Sequence, residues 1–380
     1  MKDRAMLSKV LFPVLTLALS TNAFAAEPPS AGGQIQQIPS SPAPQKTAPP
    51  IQIDRGDASV MAGMDSLPIL VNTLHTAGQT LYTEAELVAI TGFRAGSQLT
   101  LAELRDMATK ISDHYHRNGY FVAQAYLPAQ DVKDGAVTIA VLEGRYGKIT
   151  LRNQSKLSDS LANSYLSGLD SGDIIAIGPL ESRLLLLSDL AGVNVRSTLV
   201  PGATVGTSDL VVDVIPGRTV TGSVEADNAG NRYTGEYRVG ATVNVNNITG
   251  HGDVASLRVL TSGPGLKYGR ASYQRQFGKA TAGIAYTALE YRLAKEFKSL
   301  QAHGTAKIAS VYGSYPLIRS RNNNLYALAG FDAKTFQDKV DLTSTTIDKK
   351  AKVGWIGIQG NHHDKFGGGG TTAYSLTHSL

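Results

Sequence analysis

Glu236-Tyr237-Arg238-Val239-Gly240-Ala241-Thr242-Val243-Asn244-Val245-Asn246 alternates along its length. In an extended chain successive side chains point to opposite faces. Tyr237, Val239, Ala241, Val243 and Val245 therefore share one face, and Glu236, Arg238, Thr242, Asn244 and Asn246 the other. One side suits hydrocarbon and the other water. Runs of this kind recur near 218–228, 235–246, 253–262, 266–277, 280–292, 304–315, 323–335, 350–360 and 370–380. Their lengths match the ~9–11 residues of a tilted membrane strand.

The connections between runs alternate in length. Thr249-Gly250-His251-Gly252 and Phe277-Gly278-Lys279 are tight, whereas Lys295 to His303 and Lys334 to Lys350 are long and polar. Short turns are expected on the periplasmic side and long loops outside. The chain holds 16 tyrosines against 9 phenylalanines, and Tyr233, Tyr268, Tyr273, Tyr286, Tyr291, Tyr312, Tyr315 and Tyr326 lie mostly toward run ends, where an aromatic girdle belongs. A soluble β-sandwich is the competing reading, since Leu266 to Phe277 alternates poorly.

Upstream of residue 218 the period changes. Leu67 to Thr73 reads as a strand, Thr83 to Thr91 as a short helix with Glu84 and Glu86 at its positive end, and Thr100 caps a second helix. In that helix Leu101, Leu104, Ala108, Ile111 and Tyr115 step by three and four into one apolar stripe, which Asn118-Gly119 ends. Tyr120 to Leu127 and Ala136 to Glu143 then form a hairpin. The order strand, helix, helix, strand, strand repeats at Gly147 to Leu151, Ser158 to Leu166, the Leu180-Leu184-Leu187-Leu190 helix, Val193 to Val200 and Asp209 to Ile215. The repeat lies in pattern rather than identity.

The N-terminus reads as a secretory signal: Lys2, Arg4 and Lys9 precede the apolar run Val10 to Leu19, and Ala23-Phe24-Ala25 offers small residues for cleavage. The run is about half the ~20 residues that a spanning helix needs. From Glu27 to about Ile53 the chain is Pro, Ser, Gln and Ala, an extended linker. Zero cysteines exclude a disulfide scaffold. The formal charge of +5 falls to about +3 once the leader is removed, so the basic balance gives no reason to expect a nucleic-acid partner.

No catalytic constellation stands out. The sequence lacks a Gly-x-Ser-x-Gly elbow, a P-loop ending and a dinucleotide fingerprint after a strand, so it is read as a non-enzyme with no catalytic, cofactor or metal site. His114 and His116, two apart on a helix, point to different sides and read as solvated. His362 and His363 read as loop surface. The chain does offer strand edges. The middle run of each three-stranded unit is expected at the sheet border with unpaired N–H and C=O groups, where an extended polypeptide adds a strand. The candidate client-binding residues are Tyr120, Val122, Gln124 and Tyr126 in the first unit and Val193, Val195, Ser197 and Leu199 in the second.

Tyr120-Phe121-Val122-Ala123-Gln124-Ala125-Tyr126-Leu127-Pro128-Ala129-Gln130 followed by Gly135 to Gly144 resembles the first polypeptide-transport-associated (POTRA) domain of two-partner-secretion transporters. That family comprises the haemolysin and filamentous-haemagglutinin secretion proteins. Val200-Pro201-Gly202 and Gly206-Thr207-Ser208-Asp209-Leu210 are similar to the family's second POTRA hairpin, and Pro216-Gly217-Arg218 leads into its barrel. The resemblance implies an α+β pair of periplasmic POTRA domains followed by an antiparallel transmembrane β-barrel in the Gram-negative outer membrane. It also implies an exoprotein partner, a large β-helical adhesin or cytolysin, moved across the outer membrane lipids without ATP. The chain then divides into a signal peptide (1–25), a Pro-rich linker (26–65), POTRA domain 1 (66–144), POTRA domain 2 (145–217) and the N-terminal part of a barrel (218–380).

Two features depart from the family pattern. Members carry an amphipathic plug helix at the mature N-terminus, and Glu27 to Pro50 is too rich in proline for one. The Val-Arg-Gly-Tyr/Phe loop motif and a closing strand ending in Phe are absent. About nine strands leave the barrel incomplete where the family closes about sixteen, and each unsatisfied backbone group costs several kcal/mol in hydrocarbon. The expectation is a C-terminally truncated product that does not secrete alone. A barrel-assembly insertase, and a remnant acting only as a periplasmic binding module, are the alternatives.

Overall fold

The computed structural model describes residues 28–39, 49–53, 67–364 and 366–380. The leader expected at 1–25 lies outside the described residues. In chain order the elements are α1 (Ala31–Gln36), β1 (Ile51–Ile53), β2 (Ile69–Val71), β3 (Thr73–Ala77), α2 (Glu84–Thr91), β4 (Ser97–Leu99), α3 (Leu101–Arg117), β5 (Gln124–Tyr126), β6 (Ala136–Leu142) and β7 (Arg145–Asn153). There follow α4 (Asp159–Leu166), α5 (Ile177–Ser188), β8 (Val193–Pro201), β9 (Thr207–Pro216) and β10 (Val220–Asp227). The remaining strands are β11 (Arg238–Asn246), β12 (Val254–Thr261), β13 (Leu266–Phe277), β14 (Ala280–Arg292), β15 (Ala302–Arg319), β16 (Asn323–Val340), β17 (Thr345–Asp364) and β18 (Gly370–Ser379).

Helices α2 and α3 start where their caps dictate. Thr83 with Glu86 and Thr100 with Glu103 each form a reciprocal capping box, satisfying two first-turn donors at once. The stripe on α3 buries Leu104, Met107, Ala108, Ile111 and Tyr115 against the three-stranded sheet β3-β6-β5. In the second unit the leucines of α5 close a separate core over the sheet β1-β8-β9-β7. The expected strand Leu67 to Thr73 is instead two short strands, β2 and β3, that join different sheets.

Only Glu143 and Gly144 separate β6 from β7, so the units abut. Gly144 sits at φ +75°, and a Cβ there would stand 3.0 Å from Val122, which leaves glycine the residue that fits. The buried Glu143 carboxylate ties the joint. It accepts from the Thr80 hydroxyl (2.5 Å), the N–H groups of Thr80 (2.6 Å) and Leu81 (2.8 Å) and the Tyr115 hydroxyl (3.1 Å). Burial alone pushes Glu143 up, but these bonds together hold it below the ordinary glutamate value.

Strands β10 to β18 form one antiparallel sheet in sequence order. Its polarity is the reverse of a water-soluble sheet. On β11, Val239 is 52% exposed and Val243 also faces out, while Arg238, Thr242 and Asn246 are buried on the concave side. Val224, Leu257, Val259, Ile284, Val311, Phe331 and Ile356 continue the exposed apolar face. Three parts differ from the sequence reading. Lys334 to Lys350 is not a long loop: β16 and β17 run 18 and 20 residues, and only residues 341–344 turn between them. Their outer halves carry polar side chains on both faces, as strands beyond hydrocarbon do, so the alternation vanishes while the ladder goes on. Lys295–Leu300 winds into a 3₁₀ turn, and His362 and His363 lie inside β17 rather than in a loop.

The Pro-rich linker also holds more than extended chain. α1 packs against β14, β15 and β16 on the concave face, and β1 adds a parallel strand to β8. Proline did not prevent a helix, because Ala31 to Gln36 contains none and tertiary contacts hold it. Ser30 Oγ accepts the Gly33 N–H, Asp338 accepts the Ala31 N–H (2.8 Å), and the Thr234 hydroxyl donates to Gln34 (3.0 Å).

Candidate functional site

The second unit is seated beneath the sheet by three consecutive turns. Ser158 N–H donates to Gly250 C=O (2.8 Å) in the β11–β12 turn, and the Tyr165 hydroxyl to Gly278 C=O (2.7 Å) in the β13–β14 turn. At the β15–β16 turn Arg319 grips Asp189 with two parallel bonds (2.7 and 2.9 Å), and Arg321 pairs with Glu181. The β11–β12 turn is itself rigid. Burial would raise Asp253, yet the Thr249 hydroxyl and backbone N–H groups of the turn hold it low.

The two candidate edges differ sharply. In the first unit the expected strand Tyr120 to Leu127 shrinks to Gln124–Tyr126, with Tyr120 and Val122 outside it. Tyr120 packs on the first core, and Val122 wedges against the second. β5 is a border strand, but α3 covers its outward groups: Ser112 Oγ accepts the Ala125 N–H (2.8 Å), and the His116 ring bonds Ala123 C=O (2.8 Å). Gln124 and Tyr126 turn their backbone toward β6, leaving only their side chains outside. His116, read from sequence as solvated, caps this edge. The signal was its position four residues after Ser112, one helical turn along the same face.

In the second unit Gly217 N–H bonds Gly192 C=O, which sets the phase of the β8–β9 ladder. Even residues of β8 face β9, and the odd ones, Val193, Val195, Ser197 and Leu199, present N–H and C=O outward. Their side chains are buried. β1 occupies part of this edge, pairing Ile51, Gln52 and Ile53 with Ser197, Thr198 and Leu199. The four residues singled out from sequence in this unit are thus the ones whose main chain offers an edge, and a segment of the same chain shows how a strand docks there.

On the sheet's concave face the N-terminal segment runs past two buried guanidiniums. Arg238 donates to Gln37 C=O (3.0 Å) and Arg258 to Pro39 C=O (2.6 Å). Among the described residues no cluster of three or more His, Cys, Asp or Glu is placed to hold a metal.

An apolar outer face, a polar inner face and two small α+β units, the second bound to the turns at one end, define a β-barrel protein of the outer membrane. Residues 69–144 match the POTRA domain, ShlB-type, and residues 206–378 match the haemolysin secretion/activation proteins ShlB/FhaC/HecB; the chain belongs to this family. It is 34% identical over 314 residues to the heme/hemopexin transporter protein HuxB of Haemophilus influenzae, covering 81% of this chain and 54% of that one. It is 22% identical over 300 residues to the outer membrane transporter CdiB of Dickeya dadantii, covering 76% and 52%. The solved structure of CdiB from Escherichia coli shares the fold, with a TM-score of 0.61 at 20% identity over 86% of this chain and 62% of that chain. The chain spans about half the length of the curated relatives it matches. The sheet belongs to the outer membrane and the POTRA units to the periplasm. The family is one of transporters, not enzymes.

Proposed function

We propose that this chain serves two-partner secretion: its POTRA pair receives an unfolded exoprotein in the periplasm and passes it to the concave face of the sheet. The reversed polarity of the sheet carries this reading, because a polar inner wall inside an apolar coat suits a passage through lipid. The capture point is the outward edge of β8, where the client displaces β1 and pairs with Val193, Val195, Ser197 and Leu199. Three residues of parallel strand make few hydrogen bonds, each worth about 0.5–1.5 kcal/mol net, so a longer client strand competes well. The β5 edge takes no part, since Ser112 and His116 hold its outward groups. We read the chain as a non-enzyme whose partner is a large β-helical exoprotein. The higher identity to a heme/hemopexin transporter than to CdiB supports a client of the kind that relative handles.

Titration of labelled N-terminal client segments against the full chain in detergent tests the capture point. Val195→Pro removes an outward N–H that β1 does not reach and leaves the β9 ladder intact. Binding should be lost with the circular dichroism spectrum unchanged. Undiminished affinity in a folded Val195→Pro protein overturns the reading.

A further inference from the structure

Two copies of one device line the inner wall. Glu225 and Asp227, two residues apart on β10, project to the concave side. Asp227 accepts from Arg238 Nε (2.9 Å) on β11. Glu225 accepts from Arg258 Nε (3.0 Å) and Nη2 (2.7 Å) on β12. Each carboxylate thus locks one edge of a planar guanidinium and leaves Nη1 to reach inward. Both Nη1 groups end on main-chain carbonyls of the N-terminal segment, Gln37 and Pro39. Arg238 and Arg258 are 6% and 5% exposed, so they are held rather than loose. The Tyr268 ring lies 5.9 Å from the Arg258 guanidinium and limits its swing.

Gln37 ends α1 in the right-handed helical region (φ −85°, ψ −3°), so the two carbonyls lie on the turn that leaves the helix. The oxygens bound are ones that every residue carries, proline included. The paired carboxylates also offset the positive charge, so the site does not select acidic stretches. Arg270 on β13 lies directly across from Arg258 in the ladder, with its Nη1 on the Thr287 hydroxyl (3.1 Å), and extends the row along the wall.

We infer that Arg238 and Arg258, oriented by Asp227 and Glu225, form a main-chain reading site in the passage. The N-terminal segment fills it at rest, and a polypeptide in transit offers the same guanidiniums its own main-chain carbonyls whatever its side chains. The second half of this inference rests on the secretion reading above. The first half does not.

Two arms test it on the full chain in lipid vesicles. The chain has no cysteine, so Gln37→Cys gives one reporter thiol. Arg238→Gln with Arg258→Gln should raise its modification rate by a water-soluble maleimide at least tenfold, and Arg258→Lys, which keeps charge but loses the fork, should raise it too. An unchanged rate in both overturns the site. In the second arm a photo-crosslinker at Ser256 probes an uncharged 20-residue peptide and its scrambled version. Equal crosslinking of both, falling about tenfold in the double glutamine variant, supports main-chain reading. Capture that depends on peptide sequence, or that ignores the variants, overturns it. A faster thiol with no crosslink even in the unsubstituted wall leaves the resting contact standing and refutes the transit half together with the secretion reading.

Discussion

Glu143→Ala should uncouple the two POTRA units. Five donors converge on this carboxylate from both sides of the joint: three from the Thr80-Leu81 loop, the Tyr115 hydroxyl on α3, and Arg145 Nη2 (3.4 Å) on β7 of the second unit. Tyr115 is fully buried, so its hydroxyl loses its acceptor with no water to replace it, a cost of about 1–3 kcal/mol. The two N–H groups lie in a half-buried loop and recover part of their loss from solvent, adding about 1 kcal/mol. The expected destabilisation is about 2–4 kcal/mol out of a typical total of about 5–15. Residues 49–217 contain both POTRA cores whole, so urea unfolding of that fragment by far-UV circular dichroism is the assay. Glu143 is held below its ordinary 4.5, so its contribution is present above that value and lost as pH falls through the lower folded value. Glu143→Gln should therefore flatten the stability of the fragment across that acid range. A Glu143→Ala midpoint shift worth under about 0.5 kcal/mol would refute the claim that this carboxylate holds the joint.

Three other substitutions separate the environments of the chain. Ile284→Arg, on the exposed face in the middle of β14, should cost about 2–4 kcal/mol on refolding into vesicles, whereas Ser272→Arg on the inner wall should cost little; equal costs would contradict a lipid-facing coat. Asp189→Arg should weaken the hold on the β15–β16 turn by about 1–3 kcal/mol, and adding Arg319→Asp should restore it, read as spin-label distances between the second POTRA unit and that turn. Gly78→Ala should lower the fragment's stability by at least about 1 kcal/mol, because φ is +93° and the new Cβ would meet Val141 C=O at 2.4 Å; an unchanged midpoint would show that the backbone shifts freely.

The sheet was legible where its two faces meet different solvents. β11 alternates because Val239 and Val243 face lipid while Arg238 and Thr242 face the interior, and that contrast is written one residue at a time. Where β16 and β17 pass beyond hydrocarbon the contrast disappears, and hydrogen bonding alone continues the strands. The helices were legible from caps and stripes, as at Thr100 and Leu104. α1 was not, because two of its six residues are glycine and its stability comes from Asp338 and Thr234, some 200 to 300 positions away. The β5 edge misled for the opposite reason. Tyr120 to Leu127 has strong strand propensity, yet whether an edge is open depends on what covers it, and Ser112 and His116 reach it only once α3 is packed.

On the proposed secretion reading, the β8 edge and the inner wall solve one problem by the same means. A passage that bound side chains tightly would stall at each favourable residue, because every part of a client must be released as well as held. Main-chain groups avoid this, since they repeat without regard to sequence and each bond contributes only modestly. At β8 the outward groups of Val193, Val195, Ser197 and Leu199 take a strand edge, and on the wall Arg238 and Arg258 take alternate carbonyls. The N-terminal segment occupies both places, with β1 on β8 and residues 37–39 on the arginines. On the secretion reading proposed above, one segment blocks entry and passage together. A client strong enough to displace β1 removes three of the residues that anchor that segment below, which favours release from the arginines above, and the two sites are coupled through the chain they share.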